Sequence, residues 1–223
     1  MDTEKLNEIR QSREAFITSM TSRGGTIDLA VTIEDFLTDI IAWCFYPTKK
    51  EWNLGIFNIF NQLDENGIIL KTTLLVKLDF SEKIDILKTV ISAKNLLPMA
   101  KYKNLMAEIT RKLNHIRKFR NQLAHSPLDM SAASLKSLSY RKPGEGTYDF
   151  QLIQYKKGKA IKHRIDISGI KTELNIMVKC WYQLIQLFAL LKDDTEDARA
   201  CEILSTMTEE EGDYLLKQLG LKD

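Results

Sequence analysis

Cysteine and histidine are both scarce in this chain. The three cysteines, Cys44, Cys180 and Cys201, lie far apart and fit no zinc or redox spacing. An odd count without such spacing reads as buried thiols in a reducing compartment. The three histidines, His115, His125 and His163, have no ligand-like spacing either, which argues against a metal site and against any metal cofactor. No G-x-S-x-G elbow, Walker-type phosphate loop or G-x-G-x-x-G turn occurs, so the usual esterase, NTPase and dinucleotide-binding readings have no anchor. No apolar run approaches the roughly 18 residues that span a bilayer. The N-terminal MDTEKLNEIRQSRE has no apolar core of a secretion signal. These absences predict a cytoplasmic protein that does not engage a membrane. Neither an internal repeat nor a low-complexity linker is visible, and the 223 residues are read as one domain.

What is present is charge, unevenly placed. Apolar residues make up 44% and charged residues 28%, as in a globular protein. Residues 101–164 carry fifteen Lys and Arg against four acids, a net +11, so a chain of +2 overall is −9 elsewhere. Much of the negative charge lies in DDTEDARACE and TEEEGD near the end. A basic middle and an acidic tail suit a polyanionic partner, or a tail that folds back on the middle.

The pattern along the chain is mostly helical. A first helix over about 2–22 is expected to stop at Gly24–Gly25, with a second over about 27–45 ending before Pro47. At about 100° per residue, Asp28, Thr32, Asp35 and Asp39 share a polar arc of the second helix, opposite Ile33, Leu37, Ile40 and Cys44. Glu34 falls on the apolar side and needs a partner. A short helix follows near 54–63, then a less regular stretch around Gly67. Another helix over 79–93 opens on Asp79 or Ser81 as N-cap. A long helix over about 100–125 presents Leu105, Ile109, Leu113, Ile116 and Leu123 as its apolar stripe.

Between 135 and 167 the period changes. SLSYRK, YDFQLIQY and AIKHRIDI alternate between turn signals, which predicts a three-stranded antiparallel meander. Helical periodicity returns over about 170–191, with a wide apolar face that includes Ile170, Met177, Val178, Leu184 and Phe188. The expected fold is mainly α: a helical core over about 27–125 and 169–192, the β-meander, and an acidic helical tail over 193–223.

One constellation carries chemistry. On the 100–125 helix, Arg117, Asn121 and His125 follow at i, i+4 and i+8, forming a polar ridge. Arg120 lies around the helix from them, inside the apolar stripe. A Glu34–Arg120 pair would satisfy both misplaced charges. His125 stands at the predicted helix end, since Pro127 disfavours helical geometry at Ser126. A helix C-terminus favours cationic side chains, so an imidazole there suits proton transfer. A nearby guanidinium can bind phosphate in two-pronged fashion. Together they are enough for ribose 2′-OH attack on the adjacent phosphodiester, the histidine moving protons and the arginine stabilising the phosphorane. One histidine is one proton carrier, so a two-step relay would benefit from a second copy. The plainer alternative is a structural helix in which Arg120 is tied to Glu34 and His125 only caps.

These residues resemble the HEPN domains (higher eukaryote and prokaryote nucleotide-binding). Arg120, Asn121, Ala124 and His125 match their Arg-Asn-x-x-Ala-His motif position by position, and IDLAVTIEDFLTDII upstream is similar. FSEKIDIL is similar to a segment of this group and of the mannitol-repressor-like proteins. The resemblance covers helices between about 27 and 125, and the helix at 170–191. It implies an up-and-down helical bundle and a metal-independent endoribonuclease acting on RNA, single-stranded RNA in our reading, in a toxin or phage-defence role. It also implies a composite site across a homodimer, and an antitoxin or sensor as further partner. Arg120 and His125 would be catalytic, with Asn121 orienting them. From the ridge and the charge, Arg117 and Lys118 are added as substrate-binding residues, and Glu34 as a support for Arg120. Pro127 stands where one toxin branch has a tyrosine. Some members of the family have no nuclease activity, so a non-catalytic regulator or nucleotide-binding adaptor is the alternative.

Overall fold

The computed structural model describes residues 3–48, 63–94, 96, 99–129, 150–156, 159–165, 167–193 and 195–206. Among them the protein is mainly helical, with six α-helices and a small two-stranded antiparallel sheet. The helices are α1 (Thr3–Phe45), α2 (Glu65–Thr73), α3 (Phe80–Ala93), α4 (Met99–His125), α5 (Ile167–Leu191) and α6 (Thr195–Thr206). The strands are β1 (Phe150–Lys156) and β2 (Lys159–Ile165). The chain divides into two compact units, Met1–Ala30 with Lys118–Leu174, and Val31–Arg117 with Asn175–Asp223.

The second unit holds most of the apolar core. Ile33, Phe36, Leu37, Ile40 and Ile41 of α1 are buried, as are Ile84, Leu87 and Ile91 of α3. Ile109, Leu113 and Ile116 of α4 and Leu184, Ile185 and Phe188 of α5 complete it. Each such side chain contributes about 1.5–3 kcal/mol when fully buried. Rings lock α1 to α5: Phe36 lies 4.9 Å from Trp181, and Trp43 meets Phe188 edge-on at 5.4 Å. Polar contacts fix the neighbours. Lys94 of the α3 cap donates to the Cys44 carbonyl at 2.9 Å. Gln183 of α5 joins Glu108 and Lys112 of α4, at 2.8 and 2.9 Å.

The first unit is smaller. Leu123 of α4, Leu152 of β1 and Ile170 of α5 form its buried centre, with Ile27, Phe119, Leu128 and Leu174 packed against them. The sheet pairs Leu152 with His163 and Tyr155 with Ala160. A two-stranded hairpin is marginal alone, and here Leu152 anchors it.

Several expectations need correction. Gly24 and Gly25 do not end a helix: α1 is one helix from Thr3 to Phe45. Each glycine costs about 1 kcal/mol in a helix relative to alanine, but neither supplies a stop unless the chain turns there. Burial of Thr26 and Ala30 and packing of Ile27 hold the helical path instead. The stretch around Gly67 is α2, started by Asp64, whose side chain accepts from the Gly67 amide at 2.8 Å. Asp39, assigned to the polar arc, is only 3% exposed. Lys71 of α2 covers it, with Nζ 2.7 Å from Asp39 Oδ1 and 3.0 Å from Asp35 Oδ2. Val178, assigned to the apolar face of α5, is 40% exposed.

Gly169–Leu191 is long and apolar enough to cross a membrane by length and composition, with a mean hydropathy of 1.4, although half of that window is buried in the protein. Counting unbroken apolar runs overlooked it because Lys171, Glu173 and Lys179 interrupt them. Two strands of the expected meander are present, whereas SLSYRK and the helix near 54–63, apart from Leu63, lie outside the described residues. The α3 helix begins as expected at Asp79, which forms a capping box with Glu82.

Candidate active site

The RNQLAH motif closes α4. The amide of Ser126 still bonds the Gln122 carbonyl at 3.2 Å, and Pro127 then leads the chain away from helical geometry. Ser126 is buried while Lys118, Asn121 and His125 are exposed, and Arg120 is half-buried. The final turn therefore offers its imidazole to solvent on a backbone held from the inside.

Arg120 and Asn121 are joined side by side. Arg120 Nη1 donates to Asn121 Oδ1 at 3.1 Å, which orients both side chains at the start of the last turn. Among the described residues His125 has no hydrogen-bond partner, so its ring nitrogens are open to a ligand. A second guanidinium arrives from α1: Arg23 Nη2 donates to the Ala124 carbonyl at 3.3 Å. It meets the negative end of the α4 dipole on the peptide bond next to His125. Sequence reasoning missed Arg23, having read it as part of a helix stop. The signal that could have found it is the helical phase, which carries α1 through the glycines and brings Arg23 into line with Ile27, a core contact.

The segment after His125 is fastened to the sheet. Ile153 donates its amide to the Pro127 carbonyl at 2.8 Å, and Leu128 bridges Leu152. Buried Asp129 accepts from Lys162 Nζ at 2.6 Å. The hairpin thus holds the chain directly beyond the motif.

Within the first unit the structure brings together Arg120, Asn121, His125 and Lys118, and adds Arg23. Two expected site residues, Glu34 and Arg117, belong to the other unit. Glu34 has the cationic partner its position demanded in Lys83, whose Nζ lies 2.8 Å from Oε1, a residue that sequence reasoning did not name. Arg117 is half-buried and its Nε has no hydrogen-bond partner.

Guanidinium groups are phosphate binders and imidazole is a proton carrier, and both kinds of side chain stand near the C-terminal end of α4. Among the described residues no three His, Cys, Asp or Glu side chains are grouped as metal ligands. A separate cavity of about 540 Å³ in the second unit is lined by Tyr102, Glu108, Gln183, Arg199 and Glu202 among others, and contains no imidazole. Comparison with protein-family models, curated proteins and solved structures returns no match.

Proposed function

We propose that the chain is a HEPN-type, metal-independent endoribonuclease that cuts single-stranded RNA at a composite site formed by two copies of itself. What carries the reading is the open imidazole of His125 at the C-terminus of α4, five residues after an arginine that Asn121 holds in place. Arg23 and Lys118 add positive charge at the same helix end, as a polyanionic substrate requires.

In this mechanism one His125 takes the proton of a ribose 2′-OH. The 2′ oxygen attacks the adjacent phosphorus and the P–O5′ bond breaks. His125 of the partner subunit gives its proton to the departing 5′ oxygen. Arg120 stabilises the extra charge on the phosphorane. The products end in a 2′,3′-cyclic phosphate and a 5′-hydroxyl. A role as a toxin or in phage defence, restrained by an antitoxin or a sensor, fits an enzyme of this kind.

The test is cleavage of labelled single-stranded RNAs in EDTA. Wild type is expected to cut and leave cyclic phosphate ends. His125→Ala should lose at least about 100-fold in rate, the lower range for a proton-transfer group. Its thermal melt should stay within about 0.5 kcal/mol of wild type, because the side chain is exposed. Equal cleavage by both proteins would remove His125 from the chemistry. No cleavage by either would replace the nuclease with a non-catalytic regulator or adaptor.

A further inference from the structure

The end of α5 leads into a space that the core leaves open. Lys192 and Asp193 send their amides back to carbonyls of the last turn, and Asp193 stands in the left-handed region at φ 63°. Aspartate tolerates that conformation better than most residues. The chain then re-enters a helix at Thr195, and α6 shares a cavity with α4 and α5. The buried residues that α6 brings to it are Ala198 and Ser205, whose small side chains fill little of the room. About 540 Å³ stays open, within the range of about 300–1,000 Å³ usual for small-molecule sites. Every residue that lines it belongs to the second unit.

Three charged residues line the cavity, and they differ in what they still lack. The Glu108 carboxylate is already engaged: Lys112 Nζ lies 3.2 Å from Oε1, and Gln183 donates to Oε2 at 2.8 Å. Arg199 and Glu202 of α6 are exposed, and among the described residues neither charged group has an ion-pair or hydrogen-bond partner. Their spacing of three residues would let them pair with each other, and here they do not. Half-buried Gln186 adds an amide to the same wall. Tyr102, Leu105 and Leu190 supply apolar surface beside these groups. A simple anion would meet Glu202 as well as Arg199, and a simple cation would meet Arg199 as well as Glu202. Only a molecule with one charge of each sign satisfies both.

We propose that this cavity binds a free α-amino acid with a large apolar side chain. Its carboxylate takes the Arg199 guanidinium, which suits two-pronged bonding, and its ammonium takes the Glu202 carboxylate. Both ligand charges sit on one carbon, which matches helix neighbours about 5–6 Å apart at Cβ. The side chain lies against Tyr102, Leu105 and Leu190. Glu108 adds no net charge, because Lys112 already neutralises it. The inference goes beyond the ribonuclease reading and does not rest on it, since none of Arg23, Arg120 and His125 lines the cavity.

The experiment is calorimetric titration of the full chain with L-leucine and L-phenylalanine. At least one is expected to bind, with saturation below about 10 mM, the weak end for ligands of roughly ten heavy atoms. Isocaproate and isopentylamine keep the leucine side chain with a single charge, as hydrocinnamate and phenethylamine do for phenylalanine. Each should bind roughly tenfold or more weakly than its amino acid, having lost one charged hydrogen bond. Glu202→Gln should weaken the amino acid by a similar factor without weakening isocaproate or hydrocinnamate. Arg199→Gln should weaken the amino acid without weakening the two amines. Both side chains are exposed, so each variant should keep the wild-type melt. A structural role would instead move all ligands together, and that result overturns the inference. So does failure of both amino acids to bind, or affinity that either substitution leaves within about twofold of wild type.

Discussion

Glu34 shows how a single side chain can be anticipated and still surprise. Its side chain is 15% exposed and that of Lys83 only 7%, with 2.8 Å between the charges. Removing one member of a buried pair leaves the other charged and without its counter-ion, at a cost of about 3–5 kcal/mol. Glu34→Ala is therefore expected to lower the urea midpoint sharply. The double variant Glu34→Leu, Lys83→Met should recover most of the loss. An unchanged midpoint in Glu34→Ala would show that the pair is not buried. Helical projection was enough to see that Glu34 sits on the wrong side of its helix. It could not supply Lys83, which lies 49 residues away on α3. Long-range partners of this kind are decided by packing, and Arg23 at the Ala124 carbonyl is a second instance.

At the scale of elements, α1 tests how far local signals govern. Gly24 and Gly25 lie in the middle of a 43-residue helix, and a methyl added at either would meet nothing within 4 Å. Alanine at each position should then stabilise the protein by about 0.5–1 kcal/mol, through a less disordered unfolded chain and better helix propensity. A loss of stability in Gly24→Ala would mean that the chain needs a break there. Signals that name their own mechanism were legible: Asp79, one of the two expected N-caps, opened α3, and Pro47 and Pro127 marked the ends of α1 and α4. The strand alternation of YDFQLIQY and AIKHRIDI likewise gave β1 and β2. Glycine misled at both RGG and Gly67, because it permits a turn without requiring one.

For the molecule as a whole, pH is the most direct probe of buried charge. Burial pushes the Asp39 carboxyl from 3.8 up to about 6, while the Lys71 ammonium pulls it down and the Asp35 charge adds to the rise. Burial opposes the charge on Lys71 too, but hydrogen bonds and charge from Asp39 and Asp35 outweigh it and raise its pKa. The folded protein thus holds the Asp39 proton more tightly than the unfolded chain does. That contribution is complete below about pH 4 and is lost as pH rises through about 6, an amount on the order of 3 kcal/mol. Glu108 acts in the opposite direction. Burial raises its pKa, yet Lys112, Gln183 and Arg111 together bring it below 4.5, so its share is lost as pH falls. Comparing wild type with Asp39→Asn isolates the first effect: the variant should lack the decline in stability between about pH 4 and pH 6. Parallel curves would place Asp39 in contact with water. Charge on the larger scale was legible from composition, since a +11 middle against −9 elsewhere needs only counting. That Asp39 sits out of water was not.

The buried thiols have a practical side. Cys44, Cys180 and Cys201 are all enclosed, and burial pushes Cys44 and Cys180 up to about 12, so little of either is thiolate at neutral pH. Towards an alkylating dye the native protein is expected to behave as though it had no cysteine. A lone cysteine introduced at an exposed position would take a fluorophore by itself, with no native residue removed to make room for it.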